Sequence, residues 1–187
     1  MASGYLEPCE CDAFARHLLS RGKNWQAYGP AYVFAREFMY ETGARVSEAA
    51  DINNITLQQD GQFYWFTSKN GLPRQFPASS TLIYYWNKIF TEDGPQIPPF
   101  FENRLMVFYR RGYPGFKLYN GNKAITTHLY RHAFVRRMVA LNQMTFADVQ
   151  SILSLSSESV VREYYNDPIY ATNHRQATLV RKECSRR

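Results

Sequence analysis

Two dipeptides, Asp60-Gly61 and Asn70-Gly71, constrain the fold of this chain more than any other feature. Both are strong turn formers. Glycine takes a positive φ without a Cβ clash, and Asn and Asp bond to backbone close by. The two pairs separate three runs rich in β-branched and aromatic residues, ITL (55–57), QFYWFTS (62–68) and RQFPA (74–78). Such runs at that spacing predict a small antiparallel sheet with Lys69 on its second turn.

The sequence on either side reads as helix. Residues 10–20 carry Phe14, Leu18 and Leu19 on one side of a short amphipathic helix. Pro30 is expected to begin a stronger helix through AYVFAREFMYET, with Val33, Phe34, Glu37 and Phe38 at helical spacing and Gly43 as its stop. A short helix follows from Val46 or Ser47 to about Asp51. Ser79 or Ser80 caps TLIYYWNKIF (81–90). The proline-rich stretch TEDGPQIPPF (91–100) reads as a loop and as the best internal hinge. Residues 127–143 read as one helix, and Thr145 with Asp148 as a capping box for the helix of 146–155. Glu158 to Tyr165 forms a last helix before Asn166-Asp167-Pro168. The fold class is therefore mainly α with a small antiparallel β-sheet (α+β).

A chain of 187 residues fits one domain, taken as 1–187, with a weakly apolar tail at about 168–187. Hydrophobic residues at 45% and charged residues at 20% exclude a disordered chain. The net charge of +6 favours a polyanionic partner, because Lys and Arg displace counterions condensed on phosphates. Cys9, Cys11 and Cys184 form neither a disulfide framework nor a zinc set. Apolar runs fall short of a membrane span and the N-terminus has no signal-type core, so the expectation is a cytoplasmic, reduced protein with no membrane partner.

Breaking a phosphodiester without a metal needs cations on the non-bridging oxygens, an in-line nucleophile, and an acid for the leaving oxygen. Arginine suits the clamp through its planar fork, and tyrosine suits a nucleophile whose phosphodiester is to be reversed. Arg45 lies in TGARVSE just past a glycine, and Lys69 on a turn. His128 and Arg131 share one helix face at i and i+3, and Tyr164 lies in VVREYYND. Singly, each has an ordinary reading as a solvated or packed side chain; their order and contexts carry the argument.

That ordered set resembles the tyrosine recombinases, the family of phage integrases and Xer-type resolvases. Thr42-Gly43-Ala44-Arg45-Val46-Ser47-Glu48 matches the first arginine motif. TSKNGLPRQFPA (67–78) matches the lysine-bearing β2–β3 hairpin, with Arg74 and Pro77 following Lys69. His128-Leu129-Tyr130-Arg131 matches the H-x-x-R box, with His132 as the additional histidine. The Leu-Gly-His/Trp box aligns with Leu153-Ser154-Leu155, and nine residues beyond Leu155 is Tyr164; Tyr165 lies about 100° further round a helix.

The resemblance implies the recombinase catalytic-domain fold and a site-specific DNA recombinase or integrase acting through a 3′-phosphotyrosyl intermediate. In it Tyr164 is the nucleophile, Arg45 and Arg131 hold the phosphate, Lys69 is the general acid and His128 assists proton transfer. Glu48 and His132 support them, and Lys69 and Arg74 contact DNA. It implies double-stranded DNA as partner, a homotetramer on two DNA sites, and neither metal nor other cofactor. The chain departs from the pattern in two ways. It leaves no room for an N-terminal core-binding domain, and Leu155 replaces a phosphate donor, a loss typically worth about 2.7–4 kcal/mol at an optimised site. A type IB topoisomerase, a telomere resolvase, and a non-catalytic DNA-binding regulator on the same scaffold are the alternatives.

Overall fold

The computed structural model of the chain describes residues 23–111 and 128–166. The readings for residues 10–20 and for the tail beyond 166 lie outside the described residues. Two compact units divide the chain, one of residues 14–107 and one of residues 1–13 with 108–187. The division falls at Val107 and Phe108, past the proline-rich stretch read as a hinge.

The first unit is built on helix α1 (Lys23–Thr42). Pro30 lies inside this helix instead of opening it, so the bond back to Gln26 is missing. An interior proline costs about 3 kcal/mol in an isolated helix. Here burial of Ala31, Val33, Phe34, Ala35, Phe38 and Met39 offsets that cost. The helix ends as expected at Gly43, which has φ 66° and donates its amide to the Met39 carbonyl at 3.0 Å. Helix α2 (Val46–Ala50) and a 3-10 turn (Ile52–Asn54) follow.

The expected sheet is present. Strands β1 (Thr56–Leu57), β2 (Gln62–Phe66) and β3 (Pro73–Pro77) pair antiparallel in the order β1-β2-β3. Alternation on β2 buries Phe63 and Trp65 and turns Tyr64 and Phe66 outward. Across the sheet Phe63 faces Phe76, and Trp65 faces Arg74. The β2–β3 connection is wider than the Asn-Gly dipeptide suggests, spanning Thr67 to Leu72. Buried Thr67 holds it: its amide donates to the Leu72 carbonyl (2.8 Å), its carbonyl accepts from Gly71 (2.9 Å), and its hydroxyl accepts from the Leu72 amide (3.0 Å) and donates to Asn70.

Helix α3 (Ser80–Ile89) is capped by Ser79, whose hydroxyl accepts from the Leu82 amide at 3.1 Å. Rings from three elements then form the core. Phe34 and Phe38 of α1 meet Phe63 and Trp65 of β2 and Trp86 of α3, with centroids 4.7 to 5.9 Å apart. Such edge and tilted contacts add about 0.5–1.5 kcal/mol per pair to area burial. Within the stretch expected to be loop, β4 (Phe90–Thr91) and β5 (Gly94–Pro95) form a small ribbon. Helix α4 (Phe101–Arg111) follows; the sequence reading did not anticipate it.

In the second unit, α5 (His128–Ala140), α6 (Phe146–Leu153) and α7 (Glu158–Asn166) pack on one another. Their core joins Tyr130, Ala133, Phe134 and Met138 with Val149, Leu153 and Val161. The expected capping box opens α6. The Asp148 amide donates to the Thr145 hydroxyl (3.1 Å), and the Thr145 amide donates to the Asp148 carboxylate (2.8 Å). The Thr145 hydroxyl also donates to the Asp148 carboxylate (2.7 Å), and this bond first, with that from the Thr145 amide, holds the Asp148 carboxyl below the usual carboxylate range.

Candidate active site

The candidate residues fall into two groups, one in each unit. In the first unit the turn Thr42–Arg45 is fixed from both sides. The Thr42 hydroxyl donates to the Phe38 carbonyl (2.6 Å) and accepts from the Ala44 amide (3.2 Å). Arg45 is extended and sits at the N-terminal boundary of α2. Its amide donates to Glu48 Oε2 (3.1 Å) and its Nη1 to Glu48 Oε1 (2.9 Å). The Arg45 side chain is a quarter exposed while the Glu48 side chain is fully buried. Glu48 thus holds Arg45 from behind and leaves part of its fork facing solvent.

Glu48 also reaches the hairpin. Its Oε1 accepts from the Ser68 amide and hydroxyl, each at 3.4 Å, and the Ser47 hydroxyl donates to that of Ser68 at 2.9 Å. Lys69 is the next residue, exposed at the tip. One buried carboxylate therefore ties the arginine turn to the lysine hairpin.

Arg74 does not lie where the sequence reading put it. It was expected on DNA, but it is buried and turned inward. Nη2 donates to the Thr42 carbonyl (2.8 Å), Nη1 to Glu48 Oε2 (3.4 Å), and the guanidinium lies 4.7 Å from the Trp65 ring centre. The strand explains this. Arg74 is in phase with Phe76 on β3 and directly opposite buried Trp65, so it occupies the inner face of the sheet. That phase is the signal in the sequence that marks Arg74 as inward-facing.

The second group is on helices. Arg131 is 4% exposed on α5, and His132 beside it is half-buried. His128 is the first described residue of α5, one turn before Arg131. Tyr164 and Tyr165 both lie on α7, in the turn after buried Val161. Between α6 and α7, Ser154 is left-handed (φ 51°, ψ 49°). Leu155 follows, half-buried; its amide donates to the Gln150 carbonyl (3.0 Å), and its carbonyl accepts from Gln150 Nε2 (3.4 Å). The left-handed residue stands where the resemblance aligns a glycine, the residue type that conformation favours. Among the described residues no group of three or more His, Cys, Asp or Glu gathers as a metal site, and no helix is long and apolar enough to cross a membrane.

No family model matches the chain. By sequence it is 25% identical over 115 residues to the tyrosine recombinase XerD of Chlorobaculum tepidum, covering 55% of this chain and 38% of XerD. By structure it is similar to the XerA recombinase (TM-score 0.61, 17% identity), covering 95% of this chain and 64% of that one. The catalytic domain of bacteriophage HP1 integrase matches over 94% of both chains (TM-score 0.55, 15% identity). The fold is that of a tyrosine recombinase catalytic domain. XerH recombinase, solved bound to its palindromic difH substrate, is also similar (TM-score 0.57, 14% identity), over 86% of this chain and 48% of that one. The chain thus spans about two fifths of XerD and two thirds of XerA, and nearly all of the HP1 catalytic domain. The recombinase catalytic-domain fold accounts for the helices flanking a three-stranded sheet and for the hairpin beside the arginine turn.

Proposed function

We propose that this chain is the catalytic domain of a site-specific DNA recombinase that cuts and rejoins strands through Tyr164. The observation that carries the reading is the Glu48 carboxylate, which joins the Arg45 turn to the Lys69 hairpin. A phosphate clamp and a candidate acid on one scaffold are what metal-free phosphodiester cleavage requires.

Arg45 and Arg131 hold the non-bridging oxygens of the scissile phosphate as charge builds on them. The Tyr164 oxygen forms a bond to phosphorus, and the bond from phosphorus to the 5′-oxygen breaks. Lys69 supplies the proton to that oxygen, and His128, with His132 beside it, takes the tyrosine proton. The product is a 3′-phosphotyrosyl link and a free 5′-hydroxyl, and religation is the same step reversed. The bond energy stays in the covalent intermediate, so ATP has no part in the scheme. The fold, the +6 charge and the DNA-bound state of XerH support double-stranded DNA as partner. Strand exchange between two duplexes requires four protomers, with residues 168–187 docking on a neighbour.

A second reading is favoured by Leu155. Its side chain offers no donor and its amide is already bonded to Gln150, which fits a DNA-binding regulator on the same scaffold. One experiment separates them. The full chain is incubated with a randomised duplex library carrying a nick that lets the cut strand diffuse away. A covalent protein–DNA adduct that Tyr164→Phe abolishes and Tyr165→Phe preserves is the expected result. An adduct surviving Tyr164→Phe sinks the nucleophile assignment. Salt-dependent binding with no adduct on any duplex establishes the regulator.

A further inference from the structure

We infer that Arg74 is a positioning residue for the hairpin lysine, acting from inside the protein through Glu48 and Ser68; this deepens the recombinase reading and rests on it. The hairpin carries two attachments to the arginine turn. One is at its tip, where the Ser68 amide and hydroxyl donate to Glu48 Oε1. The other is on strand β3, where Arg74 grips the Thr42 carbonyl with one nitrogen and Glu48 Oε2 with another. The Trp65 ring lies against the same guanidinium and limits its tilt.

The two attachments share one carboxylate. Arg74 holds the Oε2 side together with the Arg45 amide, and the two fix the rotation of the carboxylate and so the position of Oε1 under Ser68. Lys69 is the next residue, exposed at the tip, and its placement follows from Ser68. Charge gives a second reason for the arginine. Arg45 and Arg74 with Glu48 sum to +1 (two positive, one negative), whereas Arg45 and Glu48 alone sum to zero. Arg74 shares the Glu48 charge with Arg45 and so weakens the pull of the carboxylate on the Arg45 fork.

The turn supplies an internal control. Gly71 and Leu72 donate their amides to Thr67, within the turn, and do not depend on Glu48. In the full chain, Arg74→Met is expected to speed amide exchange at Ser68 by about tenfold, the typical scale of a hydrogen bond to a charged group, and to leave Gly71 and Leu72 unchanged. Ser68→Ala, at the exposed tip, removes one tie without touching the core and is expected to act in the same direction.

The chemical arm uses the duplex selected by the wild-type chain, with oxygen or sulfur at the bridging 5′ position. A thiolate leaves without a proton. Arg74→Met is therefore expected to slow single-turnover cleavage of the oxygen duplex by about 10–100-fold and that of the sulfur duplex by less than about threefold. Arg74→Lys, which reaches one acceptor but not both, falls between. Duplex affinity and its salt dependence are expected to stay at wild-type values, because Arg74 is buried. Unchanged Ser68 exchange, equal slowing on both duplexes, or a reduced salt slope would each overturn the proposal. If the wild type forms no adduct with either duplex, the recombinase reading fails, and the exchange measurement alone decides whether Arg74 holds the hairpin.

Discussion

Replacing Glu48 by Gln removes one charge from a site where burial makes it matter. The carboxylate is fully buried, Arg74 is 5% exposed and Arg45 25% exposed. Removing one partner of a buried ion pair costs about 3–5 kcal/mol, because the remaining charge is left desolvated. Arg45 can turn to water, so its share is nearer the 0.2–1 kcal/mol or so of a surface pair. Arg74 cannot, although it keeps the Thr42 carbonyl and the Trp65 ring. Glutamine retains one acceptor oxygen for the Arg45 amide. The expected loss is about 2–4 kcal/mol, or roughly 6–12 °C in Tm at its midpoint. Urea unfolding followed by tryptophan fluorescence measures it. Trp25, Trp65 and Trp86 are the only tryptophans in the chain, and all lie in the unit of residues 14–107. In a double-mutant cycle, Arg74→Met should cost at least about 1 kcal/mol less in the Glu48→Gln background than alone. A single-variant loss below about 1 kcal/mol, or additive losses in the cycle, would refute the buried hub.

Two further predictions concern the second unit. Ser154→Gly relieves a left-handed non-glycine residue (φ 51°) and is expected to stabilise the chain by about 0.5–1 kcal/mol, read from urea unfolding followed by circular dichroism. A loss of stability instead would show that the Ser154 side chain makes a bond worth more than the strain. Asp148 has a folded pKa below its unfolded value, so its capping contribution is complete above the ordinary carboxylate range and is lost as pH falls through the depressed value. An NMR titration of Asp148 should give a midpoint that moves up toward the ordinary range in Thr145→Val; an unmoved midpoint would rule out Thr145 as its cause.

Most elements were legible where local chemistry decides them. The Asp-Gly and Asn-Gly turns, the alternation of Phe63 and Trp65 with Tyr64 and Phe66, the Ser79 cap and the Thr145–Asp148 box all act within a few residues. Pro30 misled because a proline reads as a helix start, whereas the apolar face on both sides of it outweighs the one missing bond. Helix α4 escaped notice because it follows a proline-rich stretch and begins after a left-handed Phe100 with no capping side chain to mark it. For the candidate site, the arginine turn and the hairpin lysine could be picked out by motif. The inward course of Arg74 could not be found by motif, since a charged residue reads as surface until its strand phase is counted against Phe76. Ser68 carried no signal of its own, because its role exists only once Glu48 is folded beneath it.

Leu155 has a consequence for how this chain can change. Gln150 secures both main-chain groups of that residue, one through its carbonyl and one through its side-chain amide. The bend between α6 and α7 is thus drawn by peptide bonds and a glutamine, and the identity of side chain 155 has little part in drawing it. A histidine or tryptophan could occupy that bend without redrawing it. On the proposed reading, a donor at position 155 is a matter of one codon rather than of architecture.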